Sequence, residues 1–352
     1  MIRPAASKPV RHPLRIAATL LLAVTAGFAA KALRLPLPWM LGPLFAVGIV
    51  AMAGLRVQAL PGGRLAGQWA IGTTLGLYFT PVVVQELVDH SLLVIGAAFG
   101  SLLFGVVCAR VQLRFGNESV PTSFFASLPG GASEMATLAE RWSGAIDRIA
   151  AAHALRILLV VTILPFGLTF AGAHGSDIYL PLVREVDWQR FPFLLTIGIG
   201  GVAGFKLLRI SNAWILGPLT AVGLATTFGI TLSALPAWVV AGGQLLIGCS
   251  LGTRFSRDFF RAAPRFMAVA GVVSLLGIAL AALLALLFFA LSGLSLPTLT
   301  LATAPGGVAE MCITAQVLQL GVPLITACHV LRVAVLTFGA PWAYRLFLRR
   351  YG

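Results

Sequence analysis

The sequence predicts an all-α polytopic integral membrane protein built from two tandem homologous repeats. Three observations lead to this class. Hydrophobic residues make up 59% of the 352 residues and charged residues only 10%, and the mean hydropathy is +0.95, which is more apolar than a water-soluble domain needs. Apolar runs of membrane-spanning length recur along the whole chain. Four sequence motifs also occur twice, in the same order.

The apolar runs predict the membrane helices. The runs Leu14–Leu33, Ser91–Ala109 and Phe266–Leu291 each approach or exceed the roughly 20 residues that cross a bilayer as a helix. Similar runs fill the rest of the chain and leave no room for a soluble domain. The first run resembles a signal peptide, but the partner of its end in the second half indicates a retained first helix, which makes residues 1–13 a cytoplasmic N-terminus.

The net charge of +14 does not indicate nucleic-acid binding. The arginines lie at the ends of apolar runs and in short connections, where basic residues determine which loops stay in the cytoplasm. The four cysteines lie in apolar segments without CxxC spacing, so we interpret them as packing residues, not as a disulfide framework or metal site: Cys108, Cys249, Cys312 and Cys328. No cofactor is predicted.

The internal repeat is the most informative feature of the sequence. The first motif, WxLGP, recurs at an offset of 175 residues and the other three recur at 176. The motifs are WxLGP at Trp39 and Trp214, QxxIGxxLG at Gln68 and Gln244, PGGxxEM at Pro129 and Pro305, and HxxR at His153 and His329. They predict a first repeat over residues 14–175, a connecting loop over 176–190 and a second repeat over 191–348.

The charges of equivalent loops favour inverted repeats. One loop of the first half carries Glu86 and Asp89, whereas its counterpart carries four arginines, namely Arg254, Arg257, Arg261 and Arg265. The next loop shows the opposite, with Arg110 and Arg114 in the first half and the uncharged residues 292–295 in the second. By the positive-inside rule, equivalent loops then lie on opposite faces of the membrane.

Inversion requires an odd number of membrane crossings in each repeat. The PGG segments are the natural candidates for segments that enter the membrane without crossing it. If they re-enter, about ten helices cross the membrane and both termini lie in the cytoplasm. Lys31 and Arg34 do not fit that scheme. If both PGG segments span instead, a parallel arrangement results, and this alternative stays open.

Each PGG break at membrane depth predicts a cavity, because unpaired backbone groups are costly in lipid. The break comprises Pro129, Gly130 and Gly131 in the first half and Pro305, Gly306 and Gly307 in the second. Free N–H groups after the glycines would favour an anion or carboxylate at the start of the following helix. Glu134 and Glu310 fall on the first turn of that helix. They are candidate ligand-binding groups, or each caps its own helix.

The HxxR motifs place an ionisable pair on one face of an apolar helix: His153 with Arg156, and His329 with Arg332. A histidine suits a proton relay, and an arginine could bind an anionic solute. The alternative is a structural lock between arginine and the glutamate of the same half.

Two further groups of residues have alternative interpretations. Gln68 and Gln244 either hydrogen-bond across helices that the IGxxLG glycines bring close, or line the cavity. Asp147 and Arg148 occur in the first half only, which makes them weaker candidates.

With these doubled motifs, the chain resembles the duplicated AbrB-type membrane protein family of Gram-negative bacteria. The resemblance covers nearly the whole chain and implies an inner-membrane protein. Family members are labelled as regulators of an alkylation-inducible gene or as ammonia monooxygenases. Neither label has a physical basis in these residues, because no cluster of metal ligands and no DNA-reading element is recognisable.

The leading functional hypothesis is a secondary transporter of the inner membrane that moves a small anionic solute, coupled to a proton or cation. Its partners would be the lipid bilayer and the solute, with no nucleic acid, and homo-oligomerisation stays open. The main alternative is a membrane-embedded sensor that regulates gene expression indirectly. An ammonia monooxygenase is the third reading, although we expect no enzymatic activity.

Overall fold

The computed structural model describes residues 12–173, 175, 185–255 and 263–351, which form fifteen helices and no strand. The first half contributes α1 (Pro13–Ala32), α2 (Pro38–Met52), α3 (Gly63–Gly76), α4 (Pro81–Asp89), α5 (Ser91–Gly116), α6 (Val120–Ser127), α7 (Ala132–Glu140) and α8 (Ile146–Phe170). The second half contributes α9 (Phe191–Leu207), α10 (Ala213–Thr227), α11 (Ala237–Gly252), α12 (Pro264–Ser292), α13 (Leu296–Thr303), α14 (Val308–Val317) and α15 (Val322–Tyr351). Residues 1–11 of the predicted N-terminus, most of the predicted connecting loop, and Arg257 and Arg261 lie outside the described residues.

The prediction of an all-helical protein is confirmed for the described part of the chain, and several of its helices fit a membrane protein. Five helices are long and apolar enough to cross a membrane, namely α1, α5, α8, α12 and α15. A sixth span results if α3 and α4, which are bent by 87°, count as one. Five more apolar helices are shorter, so the figure of about ten crossing helices stays a prediction.

Apart from α4, the described helices form two bundles. The first bundle, as we call it, contains α1–α3 and α9–α11 and interlocks the two halves of the chain: α2 packs against α11, and α10 packs against α3. At these contacts Gly72 faces the carbonyl of Ile215, and Gly248 faces the carbonyl of Met40, with no room for a side-chain methyl group. The IGxxLG segment of each half therefore packs on the WxLGP segment of the other, which confirms that these glycines allow close packing.

The second bundle contains α5–α8 and α12–α15, and its centre is the antiparallel pair α5 and α12. Three contacts fix the direction. Cys108 Sγ lies 3.6 Å from the Val273 carbonyl oxygen, Gln112 Nε2 donates to the Phe266 carbonyl at 3.3 Å, and Arg265 Nε donates to the Phe115 carbonyl at 2.8 Å. Residue numbers rise along α5 as they fall along α12, so the two helices run in opposite directions.

Four short helices of this bundle flank the PGG breaks. Each break begins at a proline, and the residue before a proline avoids helical backbone angles. Leu128 (ψ 132°) and Ala304 (ψ 140°) are accordingly extended and end α6 and α13. The glutamates lie on the first turns of α7 and α14, as the sequence predicts.

Candidate functional site: two helical hairpins and the glutamate pocket

Each PGG segment is the tip of a helical hairpin. In the first hairpin, α6 and α7, the Thr122 hydroxyl near the start of α6 accepts a hydrogen bond from Ala145 N, just before α8, at 3.0 Å. Near the end of α6, the Leu128 carbonyl accepts from Arg156 Nη1 of α8 at 2.9 Å. Since α6 and α8 therefore run side by side in the same direction, α7 must carry the chain back. The segment thus enters and returns on one side of the bundle.

The second hairpin, α13 and α14, has the same contacts. Gly321 N donates to the Thr298 hydroxyl at 3.3 Å, and Arg332 donates to the Ala304 carbonyl. Each of these residues lies 176 positions after its counterpart in the first hairpin.

The HxxR residues hold the hairpin tips. His153 and His329 each place Nε2 at 2.9 Å from a main-chain carbonyl, that of Phe125 and Leu301 respectively. Arg156 also donates to the Gly130 carbonyl at 3.4 Å, and Arg332 donates to the Gly306 carbonyl. Carbonyls at the end of a helix lack partners within that helix, so the arginines satisfy groups that the PGG break leaves free.

This geometry corrects the expected glutamate–arginine lock. Within the described residues neither Arg156 nor Arg332 forms an ion pair with Glu134 or Glu310. The physical reason is that the guanidinium donors are directed at main-chain carbonyls instead. His153 is also fully engaged, because its Nδ1 lies 2.8 Å from Arg156 Nη2 while Nε2 faces a carbonyl. A neutral ring with both nitrogens occupied is poorly placed to relay protons.

The glycines of the motif leave room for the motif's own side chains. A Cβ atom on Gly130 would lie 2.8 Å from Met135 Cε, and one on Gly306 would lie 2.7 Å from Met311 Cγ. A Cβ on Gly131 would lie 3.2 Å from the Glu134 carboxylate. The Glu310 carboxylate folds over Gly307 still more closely. These packing requirements explain the spacing of PGGxxEM without any ligand.

The two hairpin tips lie on one small cavity between α5 and α12. Pro129, Pro305 and the Arg156 side chain line this cavity, whose volume of about 20 Å³ is room for about one water molecule. Among the described residues, Arg156 Nε is buried there and has no hydrogen-bond partner. The hairpins of the two halves therefore meet inside the second bundle.

A much larger cavity of about 510 Å³, which we call the glutamate pocket, lies beside the first hairpin. Glu134 projects into it. Its Oε1 accepts a hydrogen bond from Asn212 Nδ2 at 2.7 Å, and the Thr337 hydroxyl lies 3.2 Å from Oε2. Arg64 and Gln68 line the pocket from α3. The pocket thus draws its walls from both bundles and from both halves of the chain.

Glu310, the counterpart in the second hairpin, has different surroundings. Its side chain is only 4% exposed, whereas Glu134 is half-buried. At the repeat-equivalent positions, Leu37 replaces Asn212 and Val161 replaces Thr337. Arg254 and Arg332 are close enough to interact with Glu310 electrostatically. The structure is therefore open and polar at one glutamate and closed at the other.

The two glutamines also differ. Gln68 lines the glutamate pocket, whereas Gln244 is buried in α11. Neither side-chain amide makes an interhelical hydrogen bond within the described part of the chain. The cavity-lining interpretation therefore fits Gln68, and the hydrogen-bonding interpretation fits neither residue.

Asp147 and Arg148 lie outside the glutamate pocket. Arg148 pairs with Glu118. Asp147 and Arg254 line a cavity of about 570 Å³ that shares Ala132, Ser133 and Thr137 with the glutamate pocket. Sequence reasoning missed Arg64, Asn212 and Thr337. A comparison of the two halves could have found them, because each is polar where the other half has an aliphatic residue.

Known proteins resemble the chain over almost its full length. The sequence profile of the family described as "Transition state regulatory protein AbrB" matches residues 39–348. A protein of Bacillus subtilis (strain 168), named "Uncharacterized protein YhjN", is 27% identical over 351 residues, which covers 93% of this chain and 91% of that protein. A candidate regulator of Escherichia coli (strain K12), named AbrB, is 26% identical over 340 residues and 94% of each chain. The Bacillus relative shows that the similarity is not restricted to Gram-negative bacteria, and the family match establishes that this chain belongs to the AbrB family.

Proposed function

We propose that this protein is a secondary transporter of the inner membrane that moves a small solute bearing an anionic group. The observation that carries the proposal is the glutamate pocket, in which a broken-helix hairpin, two bundles and both halves of the chain meet around Glu134. Broken helices that line a cavity between repeats are the usual solute sites of secondary transporters.

The proposed topology is two inverted repeats with both termini in the cytoplasm. Its main support is the antiparallel packing of α5 and α12, because Cys108 and Gln112 of α5 have repeat counterparts in α12. If equivalent helices run in opposite directions, the two hairpins enter the membrane from opposite faces. The charge reversal of the equivalent loops supports the same orientation.

The two bundles provide the moving parts. Rigid-body rocking of one bundle against the other is the common route to alternating access. In this proposal the glutamate pocket, with walls from both bundles, is open to one face of the membrane at a time. The closed surroundings of Glu310 form the corresponding barrier.

The glutamates have separate proposed roles. Glu134 accepts hydrogen bonds from a donor group of the solute, while Glu310 stays buried within electrostatic range of Arg254 and Arg332 on the closed side. This division rests on their surroundings, since Glu134 faces an open cavity and Glu310 is buried near Arg254 and Arg332.

The second candidate function is a membrane-embedded sensor that binds the solute and acts indirectly on gene expression. The name of the Escherichia coli relative favours it. The ammonia monooxygenase label remains the third reading, and within the described residues no group of three His, Cys, Asp or Glu side chains is placed to share a metal ion.

Counterflow into liposomes tests the transporter proposal. Purified protein is reconstituted, loaded with unlabelled small carboxylates and amino acids, and exposed to their radiolabelled forms. We expect at least one label to accumulate above protein-free liposomes. We expect Glu134→Gln to reduce that rate by about tenfold or more, because a charged contact to the solute is lost.

Asp89→Asn is the matched control, since Asp89 is an exposed acid on α4 that contacts Gln85. We expect this variant to retain the wild-type rate. Binding of a compound without counterflow of any label would contradict the transporter and favour the sensor.

A further inference from the structure

We propose that the glutamate pocket takes a small zwitterion, with its carboxylate on Arg64 and its ammonium on Glu134. The inference rests on the proposed function for the location of the solute site, but it concerns binding and can be tested without flux. It narrows the solute from a compound with an anionic group to one that carries both charges.

Arg64 supplies the anion-binding half of the site. Its half-buried guanidinium lines the pocket, and within the described residues it makes no hydrogen bond and no ion pair. A guanidinium offers a rigid fork of donors that matches a carboxylate. The first turn of α7, whose N–H groups lack partners within the helix, opens onto the same cavity at Ala132 and Ser133.

Glu134 supplies the cation-binding half. The Asn212 amide, which donates to Oε1 at 2.7 Å, and the nearby Thr337 hydroxyl fix the orientation of the carboxylate. The Ser211 hydroxyl also lies within hydrogen-bonding reach of the carboxylate. A carboxylate has about four acceptor sites, so these three donors leave one for an ammonium group in the cavity.

The two charges face one cavity but do not neutralise each other. Arg64 and Glu134 form no ion pair within 4.0 Å, although both lie on its wall. A simple anion near Arg64 would be repelled by Glu134, and a simple cation near Glu134 would be repelled by Arg64. A ligand with both charges can pair with Arg64 and with Glu134 at the same time. The cavity volume of about 510 Å³ is within the range of small-molecule sites.

Equilibrium binding to purified protein in detergent, measured by calorimetry, tests the proposal with matched probes. The zwitterions are L-alanine and 4-aminobutyrate, which differ in charge separation. Propionate and butyrate lack their ammonium groups, and ethylamine and propylamine lack their carboxylates. We expect one zwitterion to bind about tenfold or more tightly than either of its analogues, because each analogue lacks one of the two charge-assisted hydrogen bonds.

The variants assign the two ends of the ligand. Arg64→Gln should reduce the affinity for the zwitterion to that of the amine, and Glu134→Gln should reduce it to that of the carboxylate. Arg15→Gln, on α1 outside the pocket, should change neither value. Thermal unfolding of each variant shows whether it is folded.

Three results would overturn the proposal: a carboxylate or an amine that binds as tightly as its zwitterion, variants that leave the preference unchanged, or no binding of either zwitterion. The outcome is separable from that of the transporter proposal. Zwitterion binding without counterflow would overturn transport alone, whereas counterflow of a simple carboxylate without zwitterion binding would overturn the ligand class alone.

Discussion

Replacing Arg332 with leucine is expected to lower the free energy of unfolding by about 2–4 kcal/mol. The carbonyls of Ala304 and Gly306 would both lose their donor inside the protein, and each buried unsatisfied group costs about 1–3 kcal/mol. Removal of a buried guanidinium recovers part of this cost, because that group no longer has to be desolvated. Thermal unfolding in detergent, monitored by circular dichroism, would measure the loss.

Two variants on the same helix make the test specific. Arg332→Lys should be intermediate, because one ammonium group cannot reproduce a planar fork across two carbonyls. Arg345→Leu removes an exposed arginine from α15 and should have little effect. If Arg332→Leu unfolds like the wild type, the arginine does not hold the hairpin tip and the account of the HxxR motif is wrong.

Cross-linking the two bundles is expected to abolish counterflow. Tyr78, which follows α3 of the first bundle, accepts a hydrogen bond at Oη from Gln316 Nε2 of α14 in the second bundle, at 3.3 Å. A short bifunctional maleimide between Tyr78→Cys and Gln316→Cys would join the bundles at this contact. Because alternating access requires one bundle to move against the other, flux should fall to that of protein-free liposomes.

Two controls distinguish a loss of bundle motion from damage to the protein by the reagent. The pair is introduced into a variant without the four native cysteines. Each variant with only one of the two introduced cysteines, treated with the same reagent, should retain flux. The cross-linked protein should still bind the solute in detergent. Undiminished counterflow after complete cross-linking would show that the bundles need not move at this contact.

The sequence predicts the two helix breaks well, because the same motif occurs once in each half. The repeated proline and glycines of PGGxxEM indicate a break in each half, and the structure places a hairpin tip at each. The IGxxLG glycines predict close packing, which occurs at Gly72 and Gly248. A glycine or proline repeated in both halves indicates backbone geometry, because the same turn or helix crossing requires the same residue in each half.

The hydrogen-bond and ion-pair partners of the side chains are harder to predict from the sequence. A glutamate and an arginine in one apolar repeat suggest an ion pair, yet Arg332 satisfies main-chain carbonyls, whose positions no pattern reveals. The glutamate pocket was missed for the opposite reason. Its distinctive residues, Arg64 and Asn212, occur in one half only, so a search for repetition passes over them. The asymmetry that distinguishes Glu134 from Glu310 becomes visible only when the halves are compared position by position.

If the protein is a transporter, the glutamate pocket opens in turn to each face of the membrane, and the accessibility of Thr137 measures this opening. Thr137 is exposed and lines the pocket from α7. Thr137→Cys, in a variant without the four native cysteines, would be treated with a membrane-impermeant thiol reagent in right-side-out and in inside-out vesicles. The transporter proposal predicts modification from both faces, at rates that shift in opposite directions when a solute or proton gradient is applied. Modification from one face alone, under every gradient, would contradict it.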